Sequence, residues 1–374
     1  MSRPEAEPEP GPAPGAPAAR PAHGLVLGKF YPPHAGHHHL VRAAAERCER
    51  LTVLVCAASV ESVPLADRVA WLREVHPDVR VVGAVDDHPV DLYDEDIWAA
   101  HMEVFTTAVP EQVDAVYTSE EYGDELARRL GAVHVCVDPD RSAYPVSGTA
   151  VRADPAGRWD FLAPPVRAGL ARRVVVLGAE STGTTTLALA LAGHYRARGG
   201  VWARTGYVAE YGREYSERKL AELRAERPGA DWSEVAFASE EFPVIAKEQA
   251  AREEAAARAG SPVLICDTDA FATTVWHERY LGGPYPAGLE PRTQHLWILT
   301  DHEGVAFEDD GLRDGEQLRP WMTERFRAGL ARTGRPFIEV TGPPEARLAA
   351  AVAAVDALLA DGLRFADPLP ERRR

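Results

Sequence analysis

The sequence predicts an α/β protein that consists of two parallel-sheet domains in series. Short apolar runs alternate with amphipathic stretches from residue 25 onward, which is typical of strands that alternate with helices. The pattern pauses at residues 163–165 and then restarts, so the chain carries two such series. Strands of this kind form parallel sheets that helices cover on both faces.

The first series predicts buried strands with helices between them. The strands are expected at residues 25–27, 51–56, 79–85, 115–119 and 133–137. The helices are expected at residues 38–50, 66–75, 94–108 and 121–130. Ligands of parallel sheets bind where the strands end, so the loops after these strands are the first places to look for a site.

The second series predicts the same architecture. Its strands are expected at residues 173–177, 201–204, 262–266, 295–300 and 336–340. Its helices are expected near Thr184 and at residues 232–259 and 344–360. The charged, glycine-containing segment 307–320 is expected to be a mobile lid.

We expect four regions: a disordered Pro/Ala-rich tail (1–23), a first domain (24–165), a second domain (166–361) and a C-terminal tail (362–374). The formal net charge of −16 argues against broad binding to nucleic acid or to an anionic membrane. No apolar run approaches the roughly 20 residues of a membrane span, and the N-terminus lacks an apolar signal core. Four cysteines without a C-x-x-C pair favour free thiols, so we expect a cytoplasmic protein.

The turn after the first strand reads GKFYPPHAGHHHL, residues 28–40. His34 and His37 stand three apart at the start of a helix and can converge on one point, while Gly36 permits close approach of the backbone. A helix start also attracts phosphate. We expect His38 and His39 to lie on the helix surface. A histidine pair with this spacing is by itself more often an ordinary turn feature, so it needs a second signal.

The second signal lies after the fifth strand, in VSGTAVR, residues 146–152. Ser147 and Thr149 can cap a helix and bind phosphate oxygens, and Arg152 adds a forked cation. The H-x-G-H element at residues 34–37, followed by such a turn, resembles the two elements of the nucleotidyltransferase superfamily of adenylyltransferases. Both elements stand at the expected places in the fold.

This resemblance implies that the first domain transfers adenylyl groups from ATP. A phosphate monoester has a second pKa of about 6, so the attacking phosphate is already anionic and no general base is required. Catalysis then consists of positioning and charge stabilisation. The residues implied as catalytic are Lys29, His34, His37 and Arg152. The residues implied to contact ATP are Gly28, Phe30, Gly36, Ser147 and Thr149.

The segment GAESTGTTT, residues 178–186, is nearly a phosphate-binding P-loop. That motif reads G-x-x-x-x-G-K-[ST], but Thr184 stands here at the lysine position. The backbone amides can still form an anion nest, and Thr185 can still bind magnesium. The residues expected to contact ATP in this domain are Gly178, Ser181, Thr182, Gly183, Thr184, Thr185, Thr186, Arg313 and Arg319.

The lost cation needs a replacement, and lysines are scarce. Lys29, Lys219 and Lys247 are the only lysines of the chain, and the last two are expected in helices that have no reason to reach the P-loop. Arg313 and Arg319 of the expected lid, or Arg213, can supply the charge instead.

Two carboxylates follow the strand at residues 262–266. A P-loop enzyme holds magnesium or a catalytic base at this position, and both Asp267 and Asp269 are candidate catalytic residues. The sequence does not separate them, and one can instead cap the helix that follows. Thr185 and Asp267 are the candidate Mg²⁺ ligands.

The whole order resembles the bacterial bifunctional NAD-salvage proteins of the NadR type, over about residues 24–361. Besides the P-loop, the resemblance rests on YVAEYGREY (207–215), LICDTDAFATTVW (264–276) and DDGLRDGE (309–316). It implies a Rossmann-like nucleotidyltransferase that converts nicotinamide mononucleotide to NAD, followed by a P-loop kinase for nicotinamide riboside. Some members carry a DNA-binding helix-turn-helix in front, where this sequence has only the Pro/Ala-rich tail, so we expect no nucleic-acid partner.

The implied substrates carry a cationic ring, which suits aromatic faces and carboxylates. The candidate substrate contacts are Trp98, Glu210, Tyr211, Arg213 and Trp276. The expected partners are small molecules, with no membrane, and a homo-oligomer is left open. One alternative function stays open: the adenylyltransferase alone is active, and the lysine-less P-loop domain is a nucleotide-binding or regulatory module.

Overall fold

A computed structural model describes residues 20–285, 294–313 and 315–372 of the chain. Residues 1–19 of the predicted N-terminal tail, Asp314 of the predicted lid and residues 373–374 lie outside this described part. Within it, no helix combines the length and the apolar character needed to cross a bilayer. The predicted order of two parallel α/β sheets is confirmed.

The first sheet has the order β3-β2-β1-β5-β6, and all neighbouring strands are parallel. The strands of this half are β1 (His23–Gly28), β2 (Arg50–Ala57), β3 (Arg80–Val85), β4 (Val90–Asp91), β5 (Ala115–Thr118) and β6 (Val133–Cys136). Its helices are α1 (Ala35–Ala45), α2 (Leu65–Val75), α3 (Glu95–Ala108), α4 (Tyr122–Leu130) and α5 (Gly148–Ala153). Strand β4 lies outside this sheet.

Local sequence explains where two of these helices begin. The Asp94 side chain accepts hydrogen bonds from the backbone amides of Asp96 and Ile97, which caps α3. Ser147 Oγ accepts from the backbone N–H of Ala150 at 3.1 Å, which caps α5. The predicted helix start in residues 146–152 therefore forms, although the helix is only six residues long.

A buried linker joins the two halves. A 3-10 helix at Trp159–Phe161 is followed by α6 (Pro164–Leu170), which begins with prolines. Trp159 is fully buried, and its Nε1 donates to the carbonyl oxygen of Gly260 at 2.9 Å. One apolar core cluster contains residues from both halves, so the sheets pack through this linker.

The second sheet has the order β11-β10-β7-β9-β8, again with parallel neighbours. The strands of this half are β7 (Arg172–Gly178), β8 (Gly206–Val208), β9 (Val263–Asp267), β10 (Leu296–Thr300), β11 (Phe337–Val340) and β12 (Glu371–Arg372). Its helices are α7 (Thr184–Arg196), α8 (Tyr211–Glu226), α9 (Glu241–Ala259), α10 (Ala272–Leu281), α11 (Arg319–Arg332) and α12 (Pro344–Gly362).

Three expectations about the second half need correction. The strand expected at 201–204 is a 3-10 helix, because Gly199 and Gly200 have positive φ and form a turn before it; the strand follows at Gly206–Val208. The helix expected over 232–259 is broken, because Asp231 caps a separate 3-10 turn at Trp232–Glu234 and α9 begins only at Glu241. The expected lid ends in a 3-10 turn, Glu316–Leu318, and the start of α11.

The chain after α12 does not project into solvent as a tail. It crosses to the first half, where β12 pairs in parallel with β4 as a separate two-stranded sheet. The four-region division remains a prediction, but residues 365–372 belong to the surface of the first half in space.

Candidate functional site

The first half contains a cavity of about 1430 Å³ at the carboxyl ends of its strands. This is the place where parallel sheets bind ligands. Every residue predicted for the first site lines this cavity: Gly28, Lys29, Phe30, His34, Gly36, His37, Trp98, Ser147, Thr149 and Arg152.

His34 and His37 form a stacked pair at the start of α1, with ring centroids 3.7 Å apart. Neither ring nitrogen of His34, nor Nδ1 of His37, has a hydrogen-bond partner among the described residues. Burial, together with the positive charges of Arg141 and Arg152, lowers the pKa of His34 to about 3. Burial and the neighbouring His34 lower the pKa of His37 as well. Buried polar atoms without partners are costly, and an anionic ligand would satisfy them here.

Arg152 is held over the histidine turn by Tyr31. Its guanidinium donates to the carbonyl oxygen of Tyr31 at 2.8 Å and lies 5.2 Å above the Tyr31 ring. Arg141, which also lines the cavity, pairs with Glu120 at 2.6 Å. Two guanidinium groups therefore lie near the unpartnered imidazoles, and this end of the cavity is suited to phosphates.

Another part of the cavity is aromatic and acidic. Trp98 is buried, donates weakly to the carbonyl oxygen of Leu92 at 3.4 Å, and carries Arg129 over its ring. Asp86 accepts hydrogen bonds from His88 at 2.9 Å and from His101 at 2.6 Å. Burial alone would raise the pKa of Asp86, but these hydrogen bonds outweigh burial and lower it. This part is suited to a cationic, flat group.

His38 is not a surface residue, in contrast to the expectation. It is 4% exposed, and its Nδ1 lies 3.0 Å from Nε2 of His76. Burial lowers the pKa of His38 to about 3, so its ring is neutral. His38 packs inward against His76, the residue at the end of α2. His39 is half-buried, contacts the ring of Tyr144 and lines the cavity.

The second half contains a smaller cavity of about 200 Å³ beside the P-loop. Of the residues predicted for the second site, those that line it are Gly178, Ser181, Thr184, Thr185, Glu210, Arg213, Asp267, Asp269, Trp276 and Arg313. Thr182, Gly183, Thr186, Tyr211 and Arg319 do not line it. Tyr211 packs its ring under Arg252 at 4.4 Å instead, because it starts α8 on the side that faces α9.

The P-loop has the bent backbone of an anion nest. Ser181 and Gly183 have φ values of +57° and +84°, so successive amides turn toward the space above the loop. Thr182 Oγ1 lies 2.7 Å from the Ala179 carbonyl oxygen and 2.7 Å from Thr300 Oγ1, which ties the loop to β10.

The two aspartates after β9 have different surroundings. Asp267 Oδ2 accepts from Thr185 Oγ1 at 2.6 Å and from Tyr207 Oη at 3.1 Å, beside the P-loop. Asp269 is fully buried, and its carboxylate oxygens accept from Ala272 N and Trp297 Nε1 at 3.1 and 2.9 Å. Burial raises the pKa of Asp269 to about 6. One carboxylate oxygen of Asp269 binds the backbone N–H of Ala272 and the other binds the Trp297 indole, whereas Asp267 is hydrogen-bonded to Thr185 of the P-loop.

Glu210 adds a third carboxylate to this cavity. Burial, together with the nearby charge of Asp267, raises the pKa of Glu210 to about 8. The hydroxyl of Thr185 and the carboxylates of Asp267 and Glu210 are all hard oxygen donors, the ligand type that Mg²⁺ prefers. The residues present therefore fit this metal.

Two arginines of the predicted lid reach the P-loop. Arg313 NH1 lies 3.5 Å from Ser181 Oγ and 2.9 Å from the carbonyl oxygen of Glu308. Arg319 NH1 lies 3.4 Å from the carbonyl oxygen of Ser181. Arg213 lines the same cavity and pairs with Asp310 at 2.7 Å. Arg313 and Arg319 thus contact Ser181 of the P-loop directly.

Two family models match the chain in succession. The Cytidylyltransferase-like model matches residues 25–154, and the AAA domain model matches residues 173–347. The trifunctional NAD biosynthesis/regulator protein NadR of Escherichia coli (strain K12) is 28% identical over 311 residues, which cover 78% of this chain and 71% of that protein. The protein of the same name from Salmonella typhimurium is 27% identical over the same shares.

Two crystal structures share the fold of the whole chain. NadR protein in complex with NR has a TM-score of 0.63 at 22% identity, over 90% of this chain and 95% of that one. NadR protein in complex with NAD and AMP-PNP has a TM-score of 0.60 at 21% identity, over 90% and 96%. The chain is thus similar to NadR proteins over most of its length, in sequence and in fold. Both halves are therefore nucleotide-binding folds, joined in the order that the sequence predicted.

Several cavity residues were missed by sequence reasoning. Tyr31 and Arg141 lack a motif of their own, although Arg141 stands in a loop that Asp138 organises by accepting from Ser142. In the second half, Glu180 pairs with Arg279, a buried contact that no spacing rule indicates. Residues 365–371, which also line the first cavity, follow the last helix of the other half and offered no signal at all.

Proposed function

We propose that this protein makes NAD in two ATP-dependent steps. The second half phosphorylates nicotinamide riboside, and the first half transfers an adenylyl group from ATP to nicotinamide mononucleotide, giving NAD and pyrophosphate. Similarity to NadR proteins supports both activities. The observation that carries the proposal is the pair of cavities at the carboxyl ends of two parallel sheets, one lined by unpartnered imidazoles and arginines and the other by a P-loop.

In the first cavity, the mononucleotide phosphate attacks the α-phosphorus of ATP. This phosphate needs no base, because it is anionic at neutral pH. His34 and His37 donate hydrogen bonds to the triphosphate, and the arriving negative charge raises the pKa of both rings from its low value in the empty site. Arg152 and Lys29 offset the charge that develops as pyrophosphate leaves. The aromatic and acidic part, with Trp98, receives the cationic nicotinamide ring.

In the second cavity, the P-loop amides hold the phosphates of ATP. Thr185 and Asp267 would hold Mg²⁺, which would neutralise negative charge on the phosphates. We assign Asp267 rather than Asp269 to the acceptor hydroxyl as well, because both carboxylate oxygens of Asp269 accept hydrogen bonds within the fold. Arg313 takes over the charge of the missing P-loop lysine.

The proposal also covers the cellular location of the protein and its partners. The substrates are soluble small molecules, and NAD synthesis from ATP requires the nucleotide pool of the cytoplasm, which is where we place the protein. Nothing in the acidic surface of the chain favours a nucleic-acid partner for these two steps.

One assay tests both activities. The purified protein is incubated with ATP, magnesium and nicotinamide riboside, and nicotinamide mononucleotide and NAD are measured separately over time. We expect the mononucleotide first and NAD after it. NAD from added mononucleotide, with no turnover of the riboside, would instead favour the alternative in which the P-loop half only binds nucleotide. This alternative is considered because the P-loop has Thr184 where the usual motif has lysine.

A further inference from the structure

The chain after α12 forms part of the first cavity. From Leu363, which packs on the core of the second half, the backbone crosses to the first half, and residues 365–371 line the cavity there. Pocket residues of the first site therefore come from two places in the sequence that are more than 200 residues apart. We call residues 365–371 the crossing segment.

Tyr31 anchors the start of the crossing segment. Its hydroxyl donates to the carbonyl oxygen of Ala366 at 2.9 Å and accepts from the backbone N–H of Ser62 at 3.0 Å. The backbone N–H of Ala366 donates to Ser62 Oγ at 3.1 Å, and the Phe365 ring packs edge-on against the Tyr31 ring at 5.5 Å. This anchor is linked to the site, because the carbonyl oxygen of Tyr31 accepts from Arg152.

Strand pairing anchors the other end. The backbone N–H of Val90 donates to the carbonyl oxygen of Pro370 at 3.1 Å, and that of Leu92 donates to Arg372 at 3.3 Å. Both ends of the crossing segment are thus fixed by contacts that do not involve its charged side chains. Backbone pairing of this kind holds a segment in one register.

Between these anchors, Glu371 meets Lys29. Lys29 Nζ lies 2.5 Å from Glu371 Oε1, and the two side chains are 29% and 26% exposed. The backbone of Lys29 is fixed on its other side, where its carbonyl oxygen accepts from Arg68 at 3.0 Å. Arg68 is in turn paired with Glu61 in a fully buried contact at 2.5 Å.

We propose that Glu371 is a positioning residue for adenylyl transfer, which holds the ammonium group of Lys29 at the cavity. A free lysine side chain loses rotamer entropy when it is fixed, and fixing it before the substrate binds removes that cost from the reaction. The ammonium group has three donors, so one bond to Glu371 leaves two for phosphate oxygens. The inference rests on the proposed function of the first half and adds to it a residue from the far end of the chain.

A competing interpretation is that Glu371 occupies the phosphate position and must leave before ATP binds. The anchors fix the backbone of Glu371 beside Lys29 in either case, so the effect of removing the carboxylate on the rate separates the two interpretations. The two interpretations predict opposite effects of removing this carboxylate on the rate of NAD formation. Loss of a positioning carboxylate slows NAD formation, whereas loss of a competitor speeds it.

The test is a double-mutant cycle with Glu371→Gln, Lys29→Gln and the double variant, measured as kcat and KM for NAD formation from mononucleotide and ATP. We expect Glu371→Gln alone to lower kcat about tenfold, with kinase turnover unchanged. In the Lys29→Gln background, the same substitution should change kcat less than about twofold, because its partner is gone. Glu345→Gln, an exposed charge change on α12, is the matched control and should behave like the parent.

A second readout does not depend on activity. The chain has only three lysines, so acylation of each can be followed by mass spectrometry. Glu371→Gln should speed acylation of Lys29 several-fold relative to the exposed Lys247. Unchanged acylation, an equal effect in both backgrounds of the cycle, or a faster enzyme would each overturn the positioning role. If the parent makes no NAD at all, the proposed function fails and the role of Glu371 fails with it, while acylation still reports whether the contact exists.

Discussion

In the second half, Arg313 should supply the positive charge that a lysine supplies in the usual P-loop motif. Its guanidinium lies 3.5 Å from Ser181 Oγ, so it is already at the loop without any closure of the lid. Arg313→Ala should therefore slow phosphorylation of nicotinamide riboside and leave adenylyl transfer intact. Adding Thr184→Lys should restore part of the lost rate, because Thr184 begins α7 and stands at the usual lysine position.

The size of the effect follows from the geometry. Two unit charges 4 Å apart interact by about 4 kcal/mol at the effective dielectric of about 20 that suits such sites. This energy corresponds to about 10³-fold in rate. The Arg313 side chain is 25% exposed, and its Nε lies 3.4 Å from Asp310 Oδ2, both of which weaken its field. We therefore expect a loss of about 10²–10³-fold, at the lower end of what arginine fingers contribute.

The assay measures mononucleotide formation at saturating ATP and riboside for the parent, each single variant and the double variant. NAD formation from added mononucleotide, in the same preparations, is the internal control. Thr184→Lys should recover about tenfold or more in the Arg313→Ala background and change the parent little. If the two substitutions act additively, the residues do not share one role, and the reasoning is refuted. Arg319→Ala is the matched comparison, because Arg319 reaches the same Ser181 but does not line the cavity.

Three further predictions concern the first half. His37→Ala should lower adenylyl transfer about 10²–10³-fold and leave kinase turnover unchanged, as expected for the loss of one preorganised donor; near-normal NAD formation would remove the basis for the site. A stop codon after Leu363 should abolish most NAD formation and spare the kinase, and a truncated protein with full activity in both assays would show that the crossing segment is dispensable. Stability should also depend on pH through His34, because its pKa is about 6.5 in the unfolded chain and about 3 in the fold. Between these two pKa values the unfolded state binds more protons than the folded state. The contribution of His34 to the free energy of unfolding is therefore full above about pH 6.5 and falls as the pH is lowered, by at most about 2 kcal/mol at pH 5. In thermal unfolding, His34→Asn should flatten the decline of Tm between pH 7 and 5, and an unchanged slope would contradict the assignment.

The fold and the place where the residues of the first cavity meet could be predicted from the sequence because their signals are local. Each sheet strand is a short apolar run, and a run such as that of β2 is buried along nearly its whole length. The H-x-G-H element and the serine-capped turn each form at one strand end, so topology alone brings His34 and Arg152 together. Local chemistry and overall fold agree at these places.

Other features depend on contacts that no local pattern encodes. Tyr211 was expected in the second site, but it contacts Arg252 and Gln249 of α9, and a single sequence does not specify this packing. His38 was expected on the surface, and its partner His76 lies 38 residues away. Asp267 and Asp269 look alike in sequence, and only the indole of Trp297 from β10 separates their roles.

Because of the crossing segment, the first cavity is not built from the first half of the sequence alone. The halves share a core cluster through Trp159, and the chain then returns from α12 to contact Tyr31, so the first cavity is bounded by residues on both sides of the second half in sequence. Residues 365–371 follow α12 closely, so the packing of the second half helps to set where this wall of the cavity begins. The kinase half thus contributes to the shape of the other site without touching its substrate. The adenylyltransferase cavity is for this reason a property of the whole chain, and cutting between the sheets would preserve its histidines while removing one of its walls.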